Sequence, residues 1–258
     1  MTEARSPFNA ELSNKELLRY SRQIMLPKFD VAGQLALKKS CVLILGLGGL
    51  GSPVSLYLAA AGVGRLIIVD DDVVDVSNLQ RQIVHNEQRV GLSKVESAAE
   101  ALRALNSDIK IQTQALRLEG QALLDQLKQV DLVVDCTDNF ATRFEINRAC
   151  VAQKVPLVSG AAIRMEGQVS VFDARDANAP CYQCLYSDVS DEQLSCSESG
   201  VMAPLVGIIG AMQAMEAIKV LSDLGQSLSG KLLLLDAMSM QWRSLKLKKD
   251  PACACCSK

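Results

Sequence analysis

What this sequence lacks narrows its chemistry first. Its 258 residues include one histidine, His85, and no evident nucleophile–base pair. Such a chain can still carry a reaction that needs no general base. Lysine and arginine together number 27 against 29 aspartates and glutamates, a formal net charge of −2. With no basic stripe to offset phosphate repulsion, nucleic acid is not expected as the main partner. The longest apolar stretch, Val201 to Met215, is followed by Glu216 and Lys219. It falls short of the ~20 residues a bilayer requires, so no membrane is expected and the stretch reads as a buried helix. The first residues, MTEARSPFNAEL, are polar and acidic and show no signal peptide, which points to a cytoplasmic protein. Internal repeats are absent as well.

What is present is an α/β pattern with 49% hydrophobic residues, enough for a substantial core. The apolar run Cys41 to Leu45 stops at a loop containing Gly46, Gly48, Gly49 and Gly51, and apolar residues then recur at helical spacing through Leu50, Val54, Leu58 and Ala61. Strand, glycine turn and helix together set a helix N-terminus against a phosphate, and glycines let bare main-chain N–H groups approach it. The next strand ends on Asp70, at the separation from the glycine loop at which an acid reaches a ribose hydroxyl. No Gly-Lys-Ser/Thr follows, which excludes the common NTPase loop. Alone, the pattern announces a nucleotide and leaves hydride chemistry open.

Nine cysteines suit no closed set of disulfides, but their spacing is informative. Cys181 and Cys184 form one C-x-x-C pair and Cys253 and Cys256 another, the arrangement of four thiolates around a structural zinc ion. Such a site would staple the C-terminal region to the middle of the chain. Cys255 leaves open which sulfur is the spare one.

Between these landmarks, residues 10 to 25 read as a helix carrying Arg19 and Arg22. The polar segment from Val76 holds Asn78, Arg81 and His85, and phosphate binding would suit its Asn and Arg. Ser93 to Glu96 has the form of a capping box, with Lys94 in the first helical turn, where the dipole already favours an anion. A lysine there works against helix stability and hints at a ligand. The strand ending at Asp135 presents Thr137, Asp138 and Asn139 at its carboxyl end, on the same sheet edge as the glycine loop. The competing reading is that Asp138 or Asn139 merely caps the following helix, which leaves the other free for a metal. From Gly167 onward strands alternate in polarity, as antiparallel strands do. The expected fold is a Rossmann-like mixed sheet. Its parallel nucleotide-binding half, about residues 30–160, precedes antiparallel strands and a zinc-stapled region, about 161–258, in one domain spanning 1–258.

Taken in order, these segments resemble the ThiF/MoeB group of ubiquitin-activating-type adenylyltransferases. The resemblance rests on Arg19-YSRQ, Gly46-LGGLG, Asp70-DD, Ser77-NLQRQ, Lys94-VESA, Cys136-TDN, Gly160-AAIRMEGQ, Gly200-VMAPLVG and the two cysteine pairs. The Gly160 and Gly200 segments are most similar to the molybdopterin branch. The resemblance implies that ATP adenylates the C-terminal carboxylate of a ubiquitin-like sulfur-carrier protein ending in Gly-Gly. It implies a cofactor-binding set of Gly46, Gly48, Gly49, Gly51, Asp70, Asn78, Arg81, Lys94 and Asp138, with Mg²⁺ at Asp138 and Zn²⁺ at the four cysteines. It also implies that Arg22 is supplied across a homodimer interface, and that a sulfurtransferase or cysteine desulfurase acts beside the enzyme. Cys196 falls where related enzymes carry a cysteine able to link covalently to the carrier, although its acidic and neutral neighbours disfavour a thiolate. Two alternatives stand: the same chemistry on the thiazole (thiamine) sulfur carrier or on several carriers, and a NAD-dependent oxidoreductase.

Overall fold

The computed structural model describes residues 11–186 and 200–257. Its frame is an eight-stranded sheet in the order β3-β2-β1-β4-β5-β6-β7-β8. The strands are β1 (Cys41–Leu45), β2 (Arg65–Val69), β3 (Lys110–Gln114), β4 (Leu132–Asp135), β5 (Leu157–Ile163), β6 (Glu166–Phe172), β7 (Lys231–Asp236) and β8 (Gln241–Lys246). The first five run parallel and the last three antiparallel. β1 is buried along its whole length, as a central parallel strand covered on both faces must be.

Alternation along β1 divides the core in two. Val42 and Ile44 point to the face covered by α3 (Asp30–Lys39), α4 (Gly51–Ala61), α5 (Lys94–Leu105) and α9 (Ala203–Ser222). Cys41, Leu43 and Leu45 point to the face covered by α6 (Gly120–Leu127) and α7 (Phe140–Gln153). Among the described residues, α9 is the one helix long and apolar enough to cross a membrane; here Leu205, Ile209 and Ala217 pack into the core. Beyond it, β8 forms an edge whose six residues are all exposed. Its Arg243 and Lys246 discourage edge-to-edge pairing.

Two local expectations change. The helix expected over residues 10 to 25 breaks at Tyr20 into α1 (Asn14–Arg19) and α2 (Ser21–Ile24). Tyr20 is buried, and its Oη accepts from Asn106 Nδ2 at 2.9 Å, an anchor that pulls the chain out of helical register. The capping box forms at Ser13 and Glu16 of α1 and not at Ser93. At α5 the first turn is held by the loop after β2, where the Lys94 N–H donates to Asp72 O at 3.0 Å and Val73 bridges Ser93.

The junction between α4 and β2 is closed by a backbone contact. Gly64 N–H donates to Leu37 O, and a Cβ at Gly64 would lie 1.8 Å from Lys38 O. Gly64→Ala is expected to destabilise the protein by about 3 kcal/mol. Gly91→Ala, at φ +87 with nothing near its would-be Cβ, is expected to cost only about 1–2 kcal/mol. Urea denaturation midpoints test the ranking; equal shifts would contradict it.

Candidate nucleotide site

β1 and β4 are neighbours, and the chain leaves them toward opposite sides of the sheet, so a crevice opens at their carboxyl ends. It is a cavity of about 250 Å³ walled by the glycine loop, Asp70–Asp72, Arg81, Gln82, Lys94 and the segment Cys136–Arg143. Gly46 turns the chain with φ +90, and a Cβ there would sit 2.8 Å from Cys136 O. Gly51 is buried, off the cavity wall, and a Cβ there would be 1.9 Å from Gly46 O. Its requirement is therefore packing of α4 onto β1, not an approach to the nucleotide. Gly48 is the loop position with open space, its nearest neighbour being Gln82 Nε2 at 3.6 Å from the would-be Cβ. Gly49 also lines the cavity and abuts Val206 of α9.

The charged residues converge as the sequence suggested, though several already hold one another. Asp70 accepts from Leu47 N at 2.7 Å and Asp72 N at 2.9 Å. Burial raises its carboxyl above the usual range, against the opposing pull of Lys94. Lys94 Nζ pairs with Asp72 Oδ2 at 2.7 Å, the lysine side chain only 7% exposed and the aspartate 68%. Asn78 lies off the cavity wall; its Oδ1 accepts from Arg81 Nη2 at 3.1 Å and so aims Arg81. His85 is buried behind the loop, with Nδ1 2.8 Å from Ser97 Oγ and Nε2 3.1 Å from Leu47 O. Burial chiefly lowers its pKa, with Lys94 and Arg89 adding to that and the Leu47 bond opposing it.

Asn139 turns out to be the cap of α7, accepting from Thr142 N at 2.9 Å. That leaves Asp138 exposed at the cavity mouth. Asp138 also borders a second cavity of about 370 Å³, lined by Ala161 and Ile163 of β5, Gly167 of β6, Leu234 of β7 and Arg243 of β8. Arg143 borders both cavities. It donates to Thr137 O, lies 5.9 Å over the Phe140 ring, and its Nε is 4.0 Å from the fully buried Asp135 carboxylate. Burial pushes Asp135 up, while Arg143 and bonds from Thr137 and Ser159 draw it back. Sequence reasoning passed over Arg143. The available signal was a cation one turn past the α7 cap, on the face that also carries Ile146, Asn147 and Cys150.

Arg22 stands apart. It is exposed on α2, and its neighbour Gln23 donates to Ala61 O at 3.1 Å, at the C-terminal end of α4. The cavity lies at the other end of that 11-residue helix, about 16 Å away at 1.5 Å per residue. Cys196 lies outside the described residues.

The sulfurs of Cys181, Cys184, Cys253 and Cys256 all lie within 4.8 Å of one another. Three of their separations are 3.9, 3.7 and 3.5 Å. Tetrahedral ligation with Zn–S bonds of about 2.3 Å requires sulfurs about 3.8 Å apart, whereas a disulfide requires about 2.05 Å. The donor set therefore fits a closed zinc site with no open position. Cys255 falls outside the quartet, and its Sγ accepts from Asn147 Nδ2 at 3.3 Å. The Asn147 Oδ1 accepts from Tyr182 N at 2.9 Å, tying the cluster to α7.

Residues 20–255 match the model of the ThiF family, and the chain belongs to that family. It is 53% identical over 247 residues to the molybdopterin-synthase adenylyltransferase of Salmonella typhimurium, covering 96% of this chain and 99% of that one. It is also 47% identical over 250 residues to the adenylyltransferase and sulfurtransferase MOCS3 of Culex quinquefasciatus, covering 96% of this chain and 57% of the other. Among solved structures, E. coli MccB with ATP superposes with a TM-score of 0.77 at 25% identity, over 92% of this chain and 73% of that one. Family membership decides against the oxidoreductase alternative.

The Asp135–Arg143 pair gives a stability test. Arg143→Met leaves a buried carboxylate without its cation, and a loss of roughly 3 kcal/mol is expected at about pH 7. Asp135 has a folded-state pKa above its unfolded value, so its ionised form is what costs stability. The deficit therefore shrinks as pH falls through the raised pKa toward the ordinary carboxylate range. Urea titrations at about pH 7 and about pH 5 check this; a deficit that grew in acid would contradict it.

Proposed function

We propose that this chain adenylates the C-terminal glycine carboxylate of a ubiquitin-like sulfur-carrier protein with ATP, activating it for sulfur transfer in molybdopterin biosynthesis. One observation carries the reading: two cavities, one under the glycine loop and one along β5 to β8, meet at Asp138 and Arg143. A nucleotide in the first and an extended chain terminus in the second would bring carboxylate and α-phosphate together. The names of the relatives supply the substrate class.

The chemistry suits the residues. A chain-terminal carboxylate has a pKa of about 3.5 and is already an anion. It attacks the α-phosphorus, the bond to the bridging oxygen of pyrophosphate breaks, and the carrier acyl-adenylate and pyrophosphate leave. No proton has to be removed, which matches a site whose sole histidine is committed to structural hydrogen bonds. What has to be supplied is neutralisation of negative charge on the triphosphate. Arg81 and Lys94 would bind the phosphates, with Lys94 exchanging Asp72 for a phosphate oxygen. Asp70 would hold the ribose, and the exposed Asp138 would hold Mg²⁺. That ion, when bound, supplies further neutralisation beside the α-phosphate.

Arg22 is exposed at the far end of α4 from its own cavity, which supports its supply to the site of a second copy in a homodimer. The four clustered thiolates would hold Zn²⁺ as a staple. A sulfurtransferase or cysteine desulfurase would act next, its persulfide attacking the acyl carbon with AMP leaving, and a thiol then reducing the acyl disulfide to the thiocarboxylate. Cys196, if it links covalently to the carrier, would act at that later stage.

Carrier-dependent exchange of labelled pyrophosphate into ATP is expected, with the acyl-adenylate visible by mass spectrometry and both lost in Asp138→Ala. Exchange that survives Asp138→Ala would remove Asp138 from the reaction, and NAD binding without ATP binding would overturn the reading. For the staple, one zinc per chain is expected by metal analysis. Cys184→Ser should lose the metal and lower the melting temperature, while Cys255→Ser should retain it. Loss from both to the same degree would contradict the assignment of Cys255 as the spare sulfur.

A further inference from the structure

His85 lies outside the cavity wall, yet it joins three elements that form it. Its Nε2 faces the Leu47 carbonyl at 3.1 Å, inside the glycine loop. A carbonyl only accepts, so Nε2 carries a proton, and in the neutral ring Nδ1 is then an acceptor. Nδ1 lies 2.8 Å from the Ser97 hydroxyl, which therefore donates to it. Ser97 sits one turn after Lys94 on α5. The backbone of His85 donates to Gln82 O at 3.0 Å, in the segment that presents Arg81. Leu47 is itself held from the other side, its N–H donating to Asp70. The two peptide groups flanking Leu47 are thus held between the acid at the end of β2 and the imidazole, and the same imidazole bonds the helix that carries Lys94.

We infer that His85 is a positioning residue of the nucleotide site, holding the glycine loop in register with Arg81 and Lys94 through the Leu47 carbonyl and the Ser97 hydroxyl. The neutral tautomer is the one the geometry uses, because a single ring must donate to Leu47 and accept from Ser97. Burial and the cations Lys94 and Arg89 keep the ring neutral. Without the clamp the loop peptide loses its carbonyl partner, and a buried carbonyl without a partner favours other loop conformations. Only a fraction of molecules then present the binding geometry, which weakens apparent affinity by that fraction. The inference rests on the adenylation reading for the identity of the ligand, but the clamp itself can be measured without one.

The full chain serves for the test. His85→Gln keeps an amide N–H at the reach of Nε2 and so retains the Leu47 bond. His85→Asn reaches only to the Nδ1 position and keeps the Ser97 side alone; His85→Ala keeps neither. Hydrogen exchange of the Leu47 amide is expected to speed up in His85→Asn and His85→Ala and to return close to wild type in His85→Gln. The ATP dissociation constant by calorimetry should rise about tenfold in the first two variants and less than threefold in His85→Gln. In carrier-dependent pyrophosphate exchange the change should fall on the KM for ATP with kcat little altered. A purely structural role would make affinity follow melting temperature, with no preference for Gln over Asn. Equal behaviour of the Gln and Asn variants, or unchanged Leu47 exchange in His85→Ala, would overturn the inference. Absence of ATP binding by the wild-type chain would instead remove the adenylation reading and leave the clamp to be decided by amide exchange.

Discussion

Everything in this structure depends on how closely the turn after β1 can lie against its own helix. The Gly46 carbonyl and the backbone of Gly51 are in contact, with Cys136 at the end of β4 pressed against the same turn. That contact draws the N-terminus of α4, the positive end of its dipole, down to the sheet edge beside the crevice. With β2 and β4 flanking β1 in the sheet, Asp70 and Asp138 arrive on the same rim. A side chain at Gly51 would push the helix off the turn, and one at Gly46 would push the turn off the Cys136 backbone, so the crevice would lose its floor before it lost any charged residue.

A second theme is that the charges around the crevice are partly satisfied by one another. Lys94 is nearly buried and holds Asp72, Arg81 is aimed by Asn78, and Arg143 offsets Asp135. Buried charges without partners are costly. A binding site for a triphosphate therefore has to park its cations on carboxylates and amides that can release them. The exposed Asp72 is suited to that, because in the proposed function it would return to solvent as Lys94 exchanged it for a phosphate.

The parallel half of the fold could be read from the sequence because its strands are short continuous apolar runs and its turns are marked by glycine or by acidic residues. Cys41–Leu45 and the loop behind it were legible for this reason, as were the cysteine pairs, whose spacing is itself a signal. The break of the first helix was not legible, since its cause is Asn106, 86 positions away. Nor was the failure of the Ser93 cap, which follows from a bridge to Val73. Arg143 escaped notice because a cation inside a helix reads as solvent-facing until the tertiary structure buries it beside Asp135. Local patterns locate elements; long-range pairings decide which polar residues matter.

The thiol cluster also has a consequence in time. Cys181 and Cys253 lie 72 positions apart, and α9, β7 and β8 are all threaded between them. A chain made from its N-terminus exposes the first cysteine pair long before the second exists. The first pair must therefore wait, reduced and unpaired, while the rest of the sheet is laid down. Closure of the cluster would be among the last events of assembly, reporting that the antiparallel half has found its place.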